Sequence, residues 1–201
     1  MRFYRPGDKI YIFGFSRGAY TARFLAEMIF NIGLLSQGNE EMVRFAWSTF
    51  SDFQRNRGHD PKFKDFMLRF KETFCREHLT VHFLGLFDCV NSVAQFQIPL
   101  WGKSSPYIPV PPAKYVRHAV SIHERRLMFK PALFLLEETE AKGDLKEVWF
   151  TGNHGDVGGG WWYSKGEEYL LSDIALKWMV NEVLELPDTV SLPEIECSGC
   201  F

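Results

Sequence analysis

Short continuous apolar runs alternate along this chain with longer stretches in which apolar residues recur every three or four positions. The first run, DKIYIFGF (Asp8 to Phe15), is β-branched and aromatic, with Pro6-Gly7 before it and a Gly/Ser turn after it, and predicts a buried strand. From Ala19 to Ile32 the three-and-four spacing predicts a helix, with Gly33 placed to end it. Glu40 to Arg57 and Lys62 to Phe74 predict two more helices, separated by GHDP, whose Lys and Arg residues belong on solvated faces. Leu79 to Asp88 is a second strand-like run, and Glu147 to Phe150 a third, followed by a glycine-rich loop and a helix near Leu171 to Glu185. Between the second and third runs, residues 98–114 are proline-rich and predict an insertion or lid without regular structure, and YVRHAVSIHERR after it reads as helical.

Strands alternating with helices predict an α/β fold, a mostly parallel sheet flanked by helices, with ligand sites beyond the C-terminal strand ends. Ser16, Asp88 and His154 all fall there. Neither a repeat nor a linker divides the chain, so residues 1–201 read as a single domain.

Composition narrows the partners. With 46% hydrophobic residues and a formal net charge of -2, the 201-residue chain can bury a sizeable core and lacks the basic field that nucleic acid requires. It contains no run of about 18 apolar residues and no apolar signal core near Met1, so no transmembrane segment is expected and a cytoplasmic location is favoured. Its four cysteines are too scattered for a disulfide framework, and CSGC at Cys197 to Cys200 lacks the second pair of a zinc site. The 16% aromatic content points to an aromatic core or an apolar cleft.

The candidate chemistry begins at GFSRG (Gly14 to Gly18), which fits G-x-S-x-G between a strand and a helix. In such an elbow the glycines permit a sharp turn, the serine oxygen projects above the sheet, and the next amide, that of Arg17, is placed to donate to an oxyanion. A serine hydroxyl needs a histidine to take its proton and a carboxylate to hold that imidazole. The chain order serine, acid, histidine is met by Ser16, Asp88 and His154. His118 is the second candidate base, although its apolar surroundings suit a core histidine. Asp88 is also suited to capping a helix, and Asp156 either holds a turn or competes as the acid. His59, His78 and His82 precede Asp88 and break the order, while His123, next to ERR, suits a surface or structural place. Arg17, Arg23, Arg125 and Arg126 suit either an anionic substrate group or ion pairs with acids such as Glu27 and Glu124. Asp88, His118, His154 and Asp156 include the donor types of a metal site, but nothing in their spacing requires one and it would leave the elbow unexplained. No metal or cofactor is expected.

Four blocks, GFSRGAYTAR, LGLFDCVNSV, RHAVSIHERR and EVWFTGNHGDVGGGW, resemble in order those of the α/β-hydrolase family that includes the catalytic domain of type VI secretion phospholipase effectors. The resemblance runs from about Asp8 to about Val183 and is greatest to fungal members. It implies a serine hydrolase of carboxylic or phospholipid esters that works through an acyl-enzyme, with Ser16 as nucleophile, Asp88 as acid and His154 as base. It also implies a small-molecule or lipid ester as partner, with peripheral membrane contact. The family begins with a D-G-T strand and further elements before the elbow, whereas 15 residues precede Ser16 here. A partial fold is therefore expected, lacking the N-terminal strands and one oxyanion donor, with an unpaired sheet edge at the first strand. His123 stands where family members carry an acid, and the C-terminus ends soon after the last helix. The alternative is an inactive fragment or binding remnant of such a hydrolase.

Overall fold

β-Branched and aromatic residues in short runs favour the pleated, buried surface of a sheet. In the computed structural model, which describes residues 2–56, 61–76, 79–90, 111–134, 144–164 and 168–187, four such runs form one parallel sheet. Its strands are β1 (Ile10–Phe15), β2 (Val81–Phe87), β3 (Ala113–Ser121) and β4 (Asp144–Phe150), neighbours in that order. Helix α1 (Arg17–Asn31), α2 (Val43–Asn56) and α3 (Pro61–Phe74) lie between β1 and β2, while α4 (His154–Gly158) and α5 (Leu171–Leu184) follow β4. This is an α/β architecture.

Successive strand side chains point to opposite faces, and each face of the sheet has its own cover. Leu84, Leu86 and Val116 pack with Ala19, Ala22, Ala26 and Ile29 of α1. On the other face Phe83 and Tyr115 pack with Met179 and Val183 of α5. A separate helical core joins Ile32 to Phe50 of α2 and to Met67 and Phe70 of α3. Helix α1 stops at Gly33, whose φ of 95° suits a residue without Cβ and whose N–H reaches the Ile29 carbonyl.

Two expectations need correction. The segment from Tyr115 to Ser121 is strand β3, not helix. Arg117 and His118 are both buried in it, His118 as its apolar surroundings lead one to expect, and each has a carboxylate partner. Arg117 pairs with Asp144 and Glu182, and His118 with Glu147. Such pairing lets a central strand carry charge inside. The proline-rich insertion also stops earlier than 114, because β3 starts at Ala113 directly after Pro112. Residues 98–110 of that insertion, His59, His78 and the Cys197–Cys200 pair lie outside the described residues.

Register aligns the strand ends. Phe15 of β1 pairs with Phe87 of β2, Phe87 with Ala119 of β3, and Ser121 with Phe150 of β4. Residues that follow each strand therefore meet above one edge of the sheet. β1 stands at the side of the described sheet with Phe13 half exposed, at 50%.

Candidate active site

The turn from β1 into α1 fixes Ser16. Its N–H donates to the Phe87 carbonyl at 3.0 Å, and its carbonyl accepts from the Tyr20 and Val90 amides at 3.3 and 3.4 Å. These bonds hold Ser16 at φ 58° and ψ -124°, a left-handed φ that a side chain adopts only when its surroundings enforce it. Glycine is needed at one flank for a different reason. Gly14 faces the backbone of Gly18 and Ala19 so closely that a Cβ would lie 2.6 to 2.7 Å from it, whereas a Cβ on Gly18 would meet nothing within 4 Å. Neither glycine has a positive φ; the strained residue is the serine.

Asp88 follows β2 in the same way, at φ 40° and fully buried. Its Oδ1 accepts from the Ser121 amide at 2.9 Å and its Oδ2 from the Ser121 hydroxyl at 2.8 Å. A fully buried carboxylate needs such donors to replace the water it has lost. His154 opens α4, which Asn153 caps by accepting the Gly155 amide at 2.9 Å. The Asp156 carboxylate returns to the Asn153 amide at 2.9 Å, completing the capping box.

These turns bring three side chains into one line. His154 Nδ1 lies 2.6 Å from Asp88 Oδ2 and His154 Nε2 lies 2.8 Å from Ser16 Oγ. An ionised carboxylate only accepts, so Nδ1 carries the proton and Nε2 accepts from the serine hydroxyl. The Phe15 and Phe129 rings pack on the imidazole at centroid distances of 4.6 and 4.7 Å. Glu124 Oε2 accepts the His154 amide at 3.2 Å while its carboxylate also holds the Arg126 guanidinium at 2.7 and 2.8 Å. Those Arg126 bonds pull the Glu124 carboxyl well below its ordinary range, to about 2. The Arg126 guanidinium in turn lies 4.1 Å over the Phe129 ring. Backbone, ring and charge contacts thus converge on a single histidine.

An open cavity of about 250 Å³ adjoins His154, lined by Phe15, Arg126, Phe129, Gly155 and Trp161 among others. The Arg17 amide stands in the first turn of α1 beside Ser16, where no intrahelical acceptor exists for it. Arrangements of this kind can pass a proton from a serine to a histidine and stabilise the imidazolium that results.

The other candidates lie elsewhere or do other work. His118 accepts the Cys89 amide at Nε2, 3.1 Å away, so its Nδ1–H donates to Glu147 at 2.7 Å, and both ring nitrogens are occupied within the sheet. His123 accepts the Gly152 amide at 3.1 Å and steadies the β4–α4 turn. Asp156 is committed to the cap of α4. Arg23 is buried, donating to the Ala132 carbonyl at 2.9 Å and lying over the Phe134 ring. The four potential metal ligands are not brought together, and among the described residues no group of three His, Cys, Asp or Glu is placed to hold a metal ion. Burial pushes the Cys89 thiol upward despite Arg23 beside it, so this neighbour of Asp88 is not a ready thiolate. Ser121, Phe129 and the bond from the His154 amide to Glu124 were not anticipated. Reading Tyr115–Ser121 as a strand would have exposed Ser121, since it then ends β3 beside the end of β2.

The family model of the T6SS, Phospholipase effector Tle1-like, catalytic domain matches residues 1–182. The chain is also similar to the Saccharomyces cerevisiae protein named Uncharacterized protein YEL023C, with 42% identity over 137 residues, which is 67% of this chain and 20% of that relative. It thus spans about a fifth of the length of the curated relative it matches. Among solved structures, an uncharacterized protein from Pseudomonas aeruginosa aligns with a TM-score of 0.47 and 25% identity, over 90% of this chain and 24% of that one.

Proposed function

Since this chain belongs to the family of the type VI secretion phospholipase effector Tle1-like catalytic domain, we propose that it is a serine hydrolase of carboxylic or phospholipid esters, built as a single α/β-hydrolase-like domain. Ser16 is the nucleophile, His154 the base and Asp88 the acid that holds the base. The observation that carries this reading is the continuous line from Asp88 through His154 to Ser16, at 2.6 and 2.8 Å.

The steps follow from that line. Ser16 Oγ attacks the ester carbonyl carbon while its proton passes to His154 Nε2, and the carbonyl oxygen takes the negative charge. The Arg17 amide donates to that oxyanion, an interaction typically worth about 100- to 1,000-fold in turnover. The C–O bond to the alcohol breaks, His154 protonates the leaving oxygen, and an acyl group remains on Ser16. A water then gives its proton to His154 and attacks the acyl carbon, the bond from that carbon to Ser16 Oγ breaks to release the acid, and His154 returns the proton to Ser16 Oγ. Asp88 stays ionised throughout and stabilises the imidazolium.

Labelling by a fluorophosphonate probe tests the proposal without knowledge of the substrate. The parent chain should be labelled at Ser16, Ser16→Ala should not be labelled, and His154→Ala should lose at least about 100-fold in labelling rate, the usual scale of base catalysis. No labelling of a folded parent chain would reject the hydrolase and leave the binding remnant as the better reading.

A further inference from the structure

The glycines of α4 make room for the walls of the cavity beside His154. A Cβ on Gly155 would lie 2.3 Å from the Trp161 indole nitrogen, and one on Gly158 would lie 1.9 Å from the Phe15 ring. Two aromatic side chains therefore sit directly on the helix backbone, closer than any residue but glycine allows. Phe15 and Phe129 also pack on the imidazole, at 4.6 and 4.7 Å between centroids. Three rings thus bound the cavity next to the base, and Trp161 is still 59% exposed, so its indole has area left for a ligand to cover. Arg126 reaches the cavity as well, but its guanidinium holds the Glu124 carboxylate at 2.7 and 2.8 Å and lies 4.1 Å over the Phe129 ring. That pair brings no net charge to the walls.

Position relative to the triad assigns this cavity to one half of an ester. Its described walls include His154 but neither Ser16 nor Arg17. The acyl carbon must sit at Ser16 Oγ and its oxyanion at the Arg17 amide, whereas His154 Nε2–H must reach the oxygen that leaves. The cavity adjoins the last of these. An apolar cavity of about 150 Å³ holds a benzene ring, so one of about 250 Å³ admits a ring with its linking carbon.

We infer that the cavity is the subsite for the alcohol half of the ester and that it takes a flat, uncharged group of about one aromatic ring. Such a ring gains from stacked or edge-to-face contact with Phe and Trp beyond the area it buries. As the C–O bond breaks, His154 Nε2–H gives its proton to the alcohol oxygen, and the free alcohol departs through the open mouth of the cavity. Trp161 is the specificity-determining residue. This inference rests on the ester-hydrolase reading above and names the alcohol that the same site prefers.

The test compares two isomeric esters on the full 201-residue chain. Benzyl acetate has its ring on the alcohol half and methyl phenylacetate has it on the acyl half, with methyl acetate as the reference. For benzyl acetate kcat/KM should exceed that for methyl acetate at least about tenfold, the scale of an apolar group filling a pocket, and methyl phenylacetate should gain less. Trp161→Ala should lower the benzyl-to-methyl ratio by roughly 2- to 12-fold, the worth of an aromatic pair, and Trp161→Phe should keep most of it. Gly155→Ala should lower the ratio too, because its Cβ displaces the indole. A larger gain for methyl phenylacetate, or no gain for either ring, overturns the inference. So does a ratio that survives Trp161→Ala, and so does a higher kcat/KM for an acetylated glycerol phosphate than for benzyl acetate, which would give the cavity to an anion. The isomers are compared on the parent, so the result stands even where a variant fails to fold. Fluorophosphonate labelling of the parent without a preference for benzyl acetate removes the subsite and leaves the hydrolase in place, whereas no labelling and no turnover removes both.

Discussion

Replacing Gly14 and Gly18 with alanine, one at a time, should move stability in opposite directions, although both glycines belong to the same five-residue elbow. A Cβ on Gly14 would sit 2.6 Å from the Gly18 carbonyl oxygen and 2.7 Å from the Ala19 nitrogen and Cα. All three are backbone atoms of the first turn of α1, so no side-chain rotation relieves the clash. The helix must back away from β1, and Ala19, Ala22 and Ala26 then loosen against Leu84 and Leu86. Overpacking of this kind typically costs about 1–3 kcal/mol, and a rigid backbone neighbour puts it at the upper end. At Gly18 the added methyl meets nothing within 4 Å. Gly18 lies inside α1 at a helical position, where alanine is favoured by roughly 0.5–1 kcal/mol. For a chain of this size 1 kcal/mol moves Tm by about 2–4 °C. Thermal unfolding should therefore show Gly14→Ala lowered by about 6–12 °C, for a cost near 3 kcal/mol, and Gly18→Ala raised by about 1–4 °C. Gly14→Ala should also lose fluorophosphonate labelling as Ser16 shifts, and Gly18→Ala should keep it. A Gly14→Ala protein that melts at or above the parent would refute the claim that close backbone approach, not a special dihedral, selects glycine there.

Ser16→Gly should be more stable than Ser16→Ala by about 1–2 kcal/mol in urea unfolding, since glycine relaxes the φ of 58° and alanine does not. Equal midpoints would mean that the turn stores no strain at this residue. Glu124 sets an acid limit on the site. Its carboxyl is held at about 2 by Arg126, below the unfolded value of about 4.3, so the stability it contributes is present above that value and is lost as pH falls towards 2. Urea midpoints recorded from pH 6 down to about 2 should fall less steeply in Glu124→Gln than in the parent. Identical slopes would show that the pair with Arg126 has no such linkage.

How much of this was legible beforehand depends on the distance over which each feature is encoded. β1, the turn and α1 lie within one local stretch, and apolar run, glycine pair and helical spacing mark them there. Chain order nominated Asp88 and His154, but their contact spans 66 residues and that of His154 with Ser16 spans 138. β3 is not legible as a strand because Arg117 and His118 interrupt its apolar run, and the carboxylates that pair with them, Glu182, Asp144 and Glu147, lie far along the chain. Without β3 as a strand, Ser121 has no place at the end of β2, nor do the two bonds it gives the buried Asp88 carboxylate.

The sequence by itself determined the α/β alternation, the serine elbow between strand and helix, and a short set of acids and histidines in a usable order. Those features follow from short-range sterics and from the periodicity of apolar residues, which act within a few positions of the chain. Only the tertiary structure decided that Gly14 rather than Gly18 is the indispensable glycine, that His118 serves the sheet while His154 faces Ser16, and that Glu124 and Phe129 hold the histidine in place. Each of those depends on which strands become neighbours and in what register, because side-chain contacts act only over a few ångströms and the residues that make them are far apart along the chain.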